Sequence, residues 1–177
     1  MVNYFEFYQI DEGFFIDEAN LKKLYFQKSR EFHPDFYQGN DTEYETALEQ
    51  SSINNLAYKS LKKFNSRWEY ILKLHGVLEE SQNKLSPSFL MEMMDINEVI
   101  MDLKLDFDQD KLNSVSVEVE ELMKSFESKI QSEAKKYDSE LPESAERLEI
   151  LNNCKEIYLK QKYVLRIKES LNTFAPL

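Results

Sequence analysis

With three glycines and four prolines in 177 residues, this chain has few places to turn. Glycine and proline are the residues that most readily end helices and shape tight loops. Their scarcity, in a chain rich in Leu, Lys, Glu and Ser, predicts an all-α protein of helices joined by short connections. The length suits one large domain or two small ones, with enough chain to bury a core.

Charge and cysteine content remove several functions. A net charge of −11 argues against general nucleic-acid binding, which needs cations to neutralise phosphates, and against attachment to anionic lipid. Cys154 is the one cysteine, so there is no disulfide framework, and a reducing, cytoplasmic setting is expected. One cysteine and two histidines do not make a closed zinc site; no metal and no cofactor are expected. The opening "MVNYFEFYQIDEGFF" carries acids and no basic stretch, unlike a signal peptide. No apolar run approaches the ~20 residues that span a bilayer.

The charge is uneven. Residues 1–75 hold 12 acidic and 9 basic residues, net −3, and residues 76–177 hold 21 and 13, net −8. Yet Ala19–Phe32 carries Lys22, Lys23, Lys28 and Arg30 against Glu31 alone, a local basic signal of the kind partners read. Asp17 is placed to cap a helix reaching about Phe32. At roughly 100° per residue, Leu21, Leu24, Tyr25 and Phe32 gather on one side, and Lys23, Phe26, Gln27 and Arg30 on the other. Lys28 lies towards the apolar side, where its stem can snorkel. Pro34 disfavours helical geometry at His33, so the helix breaks there. "FYQGND" is expected to be a loop, with Asp41 capping a second helix to about Phe64 whose apolar contacts are Leu48, Ile53, Leu56, Ala57 and Leu61. Ser66 is expected to cap a shorter helix, "RWEYILKLH", with Gly76 at its C′ position and His75 favourable to its dipole. Residues 1–76 thus read as a helical hairpin with His33-Pro34-Asp35 at its tip.

After a polar connector at 77–86, residues 87–177 read as a three-helix bundle. Ser86 as N-cap and Pro87 at the first helical position open one helix. Asp108 caps a longer one, in which Leu112, Val115, Val119, Leu122, Phe126, Ile130 and Tyr137 recur at heptad spacing; "VSVEV" alternates but is read as helix within that pattern. Pro142 is expected to start a last helix to about Phe174, with Cys154 on an inner band with Leu148, Leu151, Tyr158 and Leu165. Three antiparallel helices bury these faces most simply.

His33-Pro34-Asp35 admits three readings. As an enzyme site it is incomplete: a catalytic triad needs a nucleophile in reach, and a metal site needs a further ligand. As a helix-ending turn it needs only Asp35 bonded to a nearby amide. As a displayed motif it gains from Pro34, which restricts the loop and lowers the entropy cost of presenting His33 and Asp35. An amphipathic helix with a basic outer face, the tripeptide, a short loop and a second amphipathic helix resemble a J-domain, the module by which co-chaperones engage DnaK-class chaperone ATPases. The resemblance implies that His33, Pro34 and Asp35, with Lys23, Gln27 and Arg30, bind the chaperone and stimulate its ATP hydrolysis. Phe36 stands where many J-domains carry lysine.

Two further stretches narrow the likeness. "SSINNLAYKSLKKFNSRWEYILKLHG" and "FLMEMMDINEVIMDL" resemble the end of the J-domain and the first C-terminal helix of HscB-type co-chaperones of iron–sulfur cluster assembly. Phe64-Asn65 and Trp68 depart from that pattern, where a proline and a small residue are usual. In the second stretch Phe89, Met93, Ile96, Ile100 and Leu103 form a core face. Leu90, Met91, Met94 and Met101 lie on the far side, interleaved with Asp95, Glu98 and Asp102; that side either packs on the first half or is an exposed partner patch. The resemblance implies the patch: Leu90, Met91, Met94, Asp95, Glu98 and Asp102 match scaffold-binding positions, and Ile150 takes the place of an aromatic contact. The expectation is a non-enzymatic co-chaperone linking a DnaK-class (HscA-type) chaperone to an iron–sulfur cluster scaffold protein (IscU-type). The alternatives are a J-domain protein with another client and a helical adaptor without an ATPase role.

Overall fold

The computed structural model describes residues 2–79, 84–139 and 145–174. Among these there are helices and turns but no strand, and the chain divides into two compact units: Met1–Val77 with Tyr137–Ser139, and Leu78–Lys136 with Glu140–Leu177.

The first unit contains α1 (Tyr4–Tyr8), α2 (Glu18–Glu31), a 3-10 turn (Pro34–Tyr37), α3 (Asp41–Leu61) and α4 (Phe64–Leu74). Local chemistry sets most of these ends. Asp17 caps α2 by accepting from the Asn20 amide at 2.9 Å. α3 is capped one residue earlier than the sequence suggested: Asn40 accepts from the Glu43 amide at 3.4 Å, and Asp41 is the first helical residue. α4 also begins earlier, at Phe64. Its N-cap Lys63 makes no side-chain cap bond, and the Ser66 hydroxyl donates back to the Lys63 carbonyl at 3.0 Å instead of capping. Packing supplies the reason, because the Phe64 ring meets Phe14, Phe15 and Trp68 at centroid distances of 6.1, 5.7 and 6.4 Å. The aromatic at 64 and the large residue at 68 thus pack together, with Trp68 fully buried. At the other end Gly76 adopts φ +66, and Val77 and Gly76 donate to the Leu72 and Lys73 carbonyls at 3.0 and 3.1 Å. This is a Schellman ending that only a left-handed residue permits.

The inward face of α3 is Ala47, Asn54, Ala57 and Leu61; Leu48 and Leu56, expected as core contacts, are exposed. A polar residue takes the central position because it is fully engaged. Asn54 Oδ1 accepts from the Tyr8 hydroxyl at 2.7 Å, and its Nδ2 donates to the Tyr25 carbonyl at 3.1 Å and Ser29 Oγ at 3.0 Å. Arg67, also buried, donates from Nε to the Phe14 carbonyl at 2.9 Å and from Nη1 to the Leu61 carbonyl, while Nη2 lies 3.4 Å from Glu18 Oε1. Buried polar groups persist when so satisfied. The Asp138 carboxylate accepts from the Phe14 and Phe15 amides at 2.8 Å each. A Cβ at Gly13 would come within 3.1 Å of that carboxylate. His75, the C-cap of α4, has its Nε2 2.7 Å from Glu12 Oε1 and 3.0 Å from the Tyr137 hydroxyl, which donates to the same Glu12 oxygen.

The second unit contains α5 (Pro87–Leu105), most of α6 (Gln109–Ser139) and α7 (Ala145–Asn172). Ser86 caps α5 through the Phe89 amide at 3.3 Å, with Pro87 opening the helix. Asp108 accepts from the Asp110 and Lys111 amides at 2.8 and 3.0 Å ahead of α6. The expected start at Pro142 lies outside the described residues. Phe89, Met93, Ile96, Ile100 and Leu103 of α5 form one core with Leu112, Val115, Val119 and Phe126 of α6 and Val164, Ile167 and Leu171 of α7. α5 has 19 residues against 31 and 28 in α6 and α7, so at 1.5 Å per residue it is shorter than either by roughly 13 Å or more. The buried band of α7 differs from the one expected. It comprises Ile150, Leu151, Cys154 and Tyr158, then Val164, Ile167 and Leu171, whereas Leu148 and Leu165, expected on it, are exposed.

Candidate partner-binding surfaces

The tip of the α2–α3 hairpin is ordered by its own hydrogen bonds. Phe32 closes α2 by donating to the Lys28 carbonyl at 2.9 Å. His33 then turns extended, at φ −72 and ψ 120, as a residue before proline must. The Phe36 amide donates to the His33 carbonyl at 3.0 Å, and the Tyr37 hydroxyl donates to the Glu31 carbonyl at 2.8 Å, satisfying one open end of α2. The sequence expected a loop over residues 36–41; its first two residues, Phe36 and Tyr37, belong instead to a 3-10 turn opened by Pro34.

Within that frame the motif's side chains face outward. His33 Nδ1 accepts from the Asp35 amide at 3.3 Å and lies 3.7 Å from Asp35 Oδ2, with side chains 52% and 71% exposed. Nδ1 as acceptor leaves Nε2–H as the donor presented to a partner. Backbone order with side-chain display is what recognition needs, since the entropy of ordering the loop is lost on folding rather than on binding. Among the described residues no three His, Cys, Asp or Glu side chains come together as a metal site.

Lys23, Gln27 and Arg30 stand exposed on one side of α2, and Lys23 and Arg30 make no ion pair among the described residues. Lys28 behaves differently: its Nζ lies 4.6 Å from the Phe7 ring centroid and 5.3 Å from that of Phe32, as the snorkelling expectation required. Phe26 is exposed on the basic side and held 5.3 Å from the Tyr25 ring. Its exposure is the signal that adds it to this surface; the sequence placed it on that side without giving it a role.

On α5 the face opposite the core is open within the second unit. Leu90, Met91, Met94, Asp95, Glu98 and Asp102 are all exposed. Asp102 Oδ2 lies 4.0 Å from Lys111 Nζ, an exposed pair of small energetic weight. Beside this face a cleft of about 170 Å³ lies between α5 and α6, lined by Asp95, Ile96, Val99, Lys111, Ser114, Val115 and Glu118. Ile150 does not join it. That side chain is 8% exposed, on the buried band of α7 one turn before Cys154.

Residues 85–172 match the family model described as the HSCB C-terminal oligomerisation domain. The iron-sulfur cluster co-chaperone protein HscB of Homo sapiens is 31% identical over 172 residues, covering 96% of this chain and 67% of that protein. The chain belongs to the HscB co-chaperone family. An HscB homolog from Psychromonas ingrahamii is 32% identical over 133 residues, 73% of this chain and 78% of that protein. In three dimensions the chain is similar to the crystal structure of human co-chaperone protein HscB, with a TM-score of 0.68 at 28% identity, over 98% of this chain and 82% of that one. Chaperone HscB from Vibrio cholerae, 23% identical, shares the fold with a TM-score of 0.71 over 98% and 100% of the two chains. The J-domain hairpin followed by a three-helix bundle is thus the HscB architecture. Among the described residues no helix is long and apolar enough to cross a membrane.

Proposed function

We propose that this HscB-family chain is a non-enzymatic, cytoplasmic co-chaperone that joins a DnaK-class (HscA-type) chaperone ATPase to an iron–sulfur cluster scaffold protein (IscU-type). His33, Pro34 and Asp35 engage the chaperone and accelerate its ATP hydrolysis, while Lys23, Gln27 and Arg30 orient the encounter through a basic surface. The observation that carries this reading is the tip geometry: a motif hydrogen-bonded into a fixed turn with its histidine and aspartate side chains displayed.

Leu90, Met91 and Met94 give the scaffold adaptable apolar contact area, and Asp95, Glu98 and Asp102 set its orientation. A protein holding both partners raises the effective concentration of one for the other without any new contact between them. Hydrolysis stimulated at the J-domain then traps a scaffold already delivered.

The scaffold half is tested by titrating scaffold into wild-type protein and into Met94→Lys, both monitored by calorimetry. The exposed position of Met94 leaves the fold intact on substitution, so affinity is expected to fall at least tenfold with unchanged thermal unfolding. Equal affinities would remove the α5 face from the reading.

A further inference from the structure

α5 carries two apolar stripes. The buried one is the core face described above. The other holds Met91, Met94, Met101 and Leu105, which are 70, 64, 66 and 88% exposed. At roughly 100° per residue they lie along one line nearly opposite the core, with Glu98 occupying the intermediate step. Leu90 flanks this line, and Phe107, two residues past the helix, adds a further apolar side chain with half its surface exposed. From Leu90 to Leu105 the stripe covers about 22 Å at 1.5 Å per residue. A bundle helix needs one apolar stripe for its core; a second one, open and interrupted only by Glu98, marks an interface.

The apolar scaffold-binding residues Leu90, Met91 and Met94 account for the first part of that stripe and leave Met101, Leu105 and Phe107 without a role. Charge narrows the occupant. Glu98 lies within the stripe, Asp95 and Asp102 edge it, and Asp106 and Asp108 follow its end, so the complementary surface is apolar with basic groups beside and between its apolar ones. A second copy of this chain would set the same carboxylates against each other and bring together two chains of net charge −11.

We infer that the scaffold-binding surface runs the whole length of α5, with Met101, Leu105 and Phe107 forming a second apolar anchor that seats a scaffold segment whose apolar residues are flanked by lysine or arginine. This inference rests on the proposed scaffold-binding role. A few large apolar side chains that become fully desolvated carry most of the energy of a contact. The surface therefore extends past the residues matched to the family.

The test is calorimetric titration of the scaffold into full-length wild type, Leu105→Ser/Phe107→Ser, Met101→Ser, Met91→Ser/Met94→Ser, and Val117→Ser as an exposed control on α6. Light scattering is recorded for each protein alone. Affinity at least tenfold weaker for the distal variants, with the control unchanged, supports the second anchor. Loss confined to Met91→Ser/Met94→Ser overturns the second anchor and leaves the scaffold reading standing. No binding by wild type, or no effect from either pair, removes the scaffold reading and the anchor with it. A wild-type dimer that the distal variants dissociate assigns the stripe to a second copy and overturns the inference.

Discussion

At the scale of single residues, the first unit depends on polar side chains buried among aromatics. Tyr8 donates to both Asn54 Oδ1 and the Asn54 carbonyl, at 2.7 and 3.0 Å. Burial above all, and then the nearby Tyr25 and Tyr58, push its hydroxyl pKa well above the usual tyrosine range. Burial likewise raises Tyr70, against the opposing bond from the Tyr4 amide at 2.8 Å. The sign of the linkage follows. Above about pH 10 the unfolded chain releases protons that the folded protein keeps, so stability is complete below that value and falls as pH rises. Urea unfolding followed from about pH 8 to 11 should show this decline. Tyr8→Phe should cost about 1–3 kcal/mol at neutral pH by leaving Asn54 without its donor, and should decline less steeply in alkali. An unchanged alkaline slope in that variant would assign the titration elsewhere.

At the scale of elements, α2 presents charge on one side and aromatic packing on the other. Exposed cations act through steering that salt screens, whereas an exposed ring acts through apolar area that salt does not screen. Chaperone affinity should therefore fall between roughly 0.05 and 0.3 M salt. Lys23→Ala/Arg30→Ala should lower affinity at low salt and flatten this dependence; Phe26→Ala should lower affinity at every salt concentration and leave the slope alone. A double variant with the wild-type salt slope would show that the basic face is not the docking surface. Helix ends were legible in the sequence where a local cap makes them, by side chain at Asp17, Ser86 and Asp108 and by backbone at Gly76, and the cap of α3 was placed one residue late, at Asp41 instead of Asn40. They were misread where tertiary packing decides, as at Phe64, whose ring joins Phe14, Phe15 and Trp68. On α3 the apolar Leu48 and Leu56 looked like core and are exposed, while Asn54, which was not among the expected core contacts, is buried. Hydrophobicity is a property of one residue, but the partners that satisfy Asn54 lie on α1 and α2, out of reach of local pattern.

At the scale of the whole molecule, the all-helical architecture was legible because scarce glycine and proline and sustained heptads leave little else to fold. The break at the hairpin tip was legible from Pro34, and the second apolar face of α5 from helical spacing, but spacing left open whether that face packs on the first half or is exposed; it is exposed. Burial at Ile150 was not legible: it is set by packing between helices, which the heptad spacing within one helix does not encode. The central claim is that two partner surfaces on one chain act together on ATP hydrolysis. The measurement that tests it most directly is single-turnover ATP hydrolysis by the DnaK-class chaperone, with wild type and His33→Gln, each with and without scaffold. Wild type should accelerate hydrolysis, scaffold should add to that acceleration, and His33→Gln should do neither while binding scaffold as wild type does. Wild type and His33→Gln equally inert with every DnaK-class chaperone of the source organism would contradict the account.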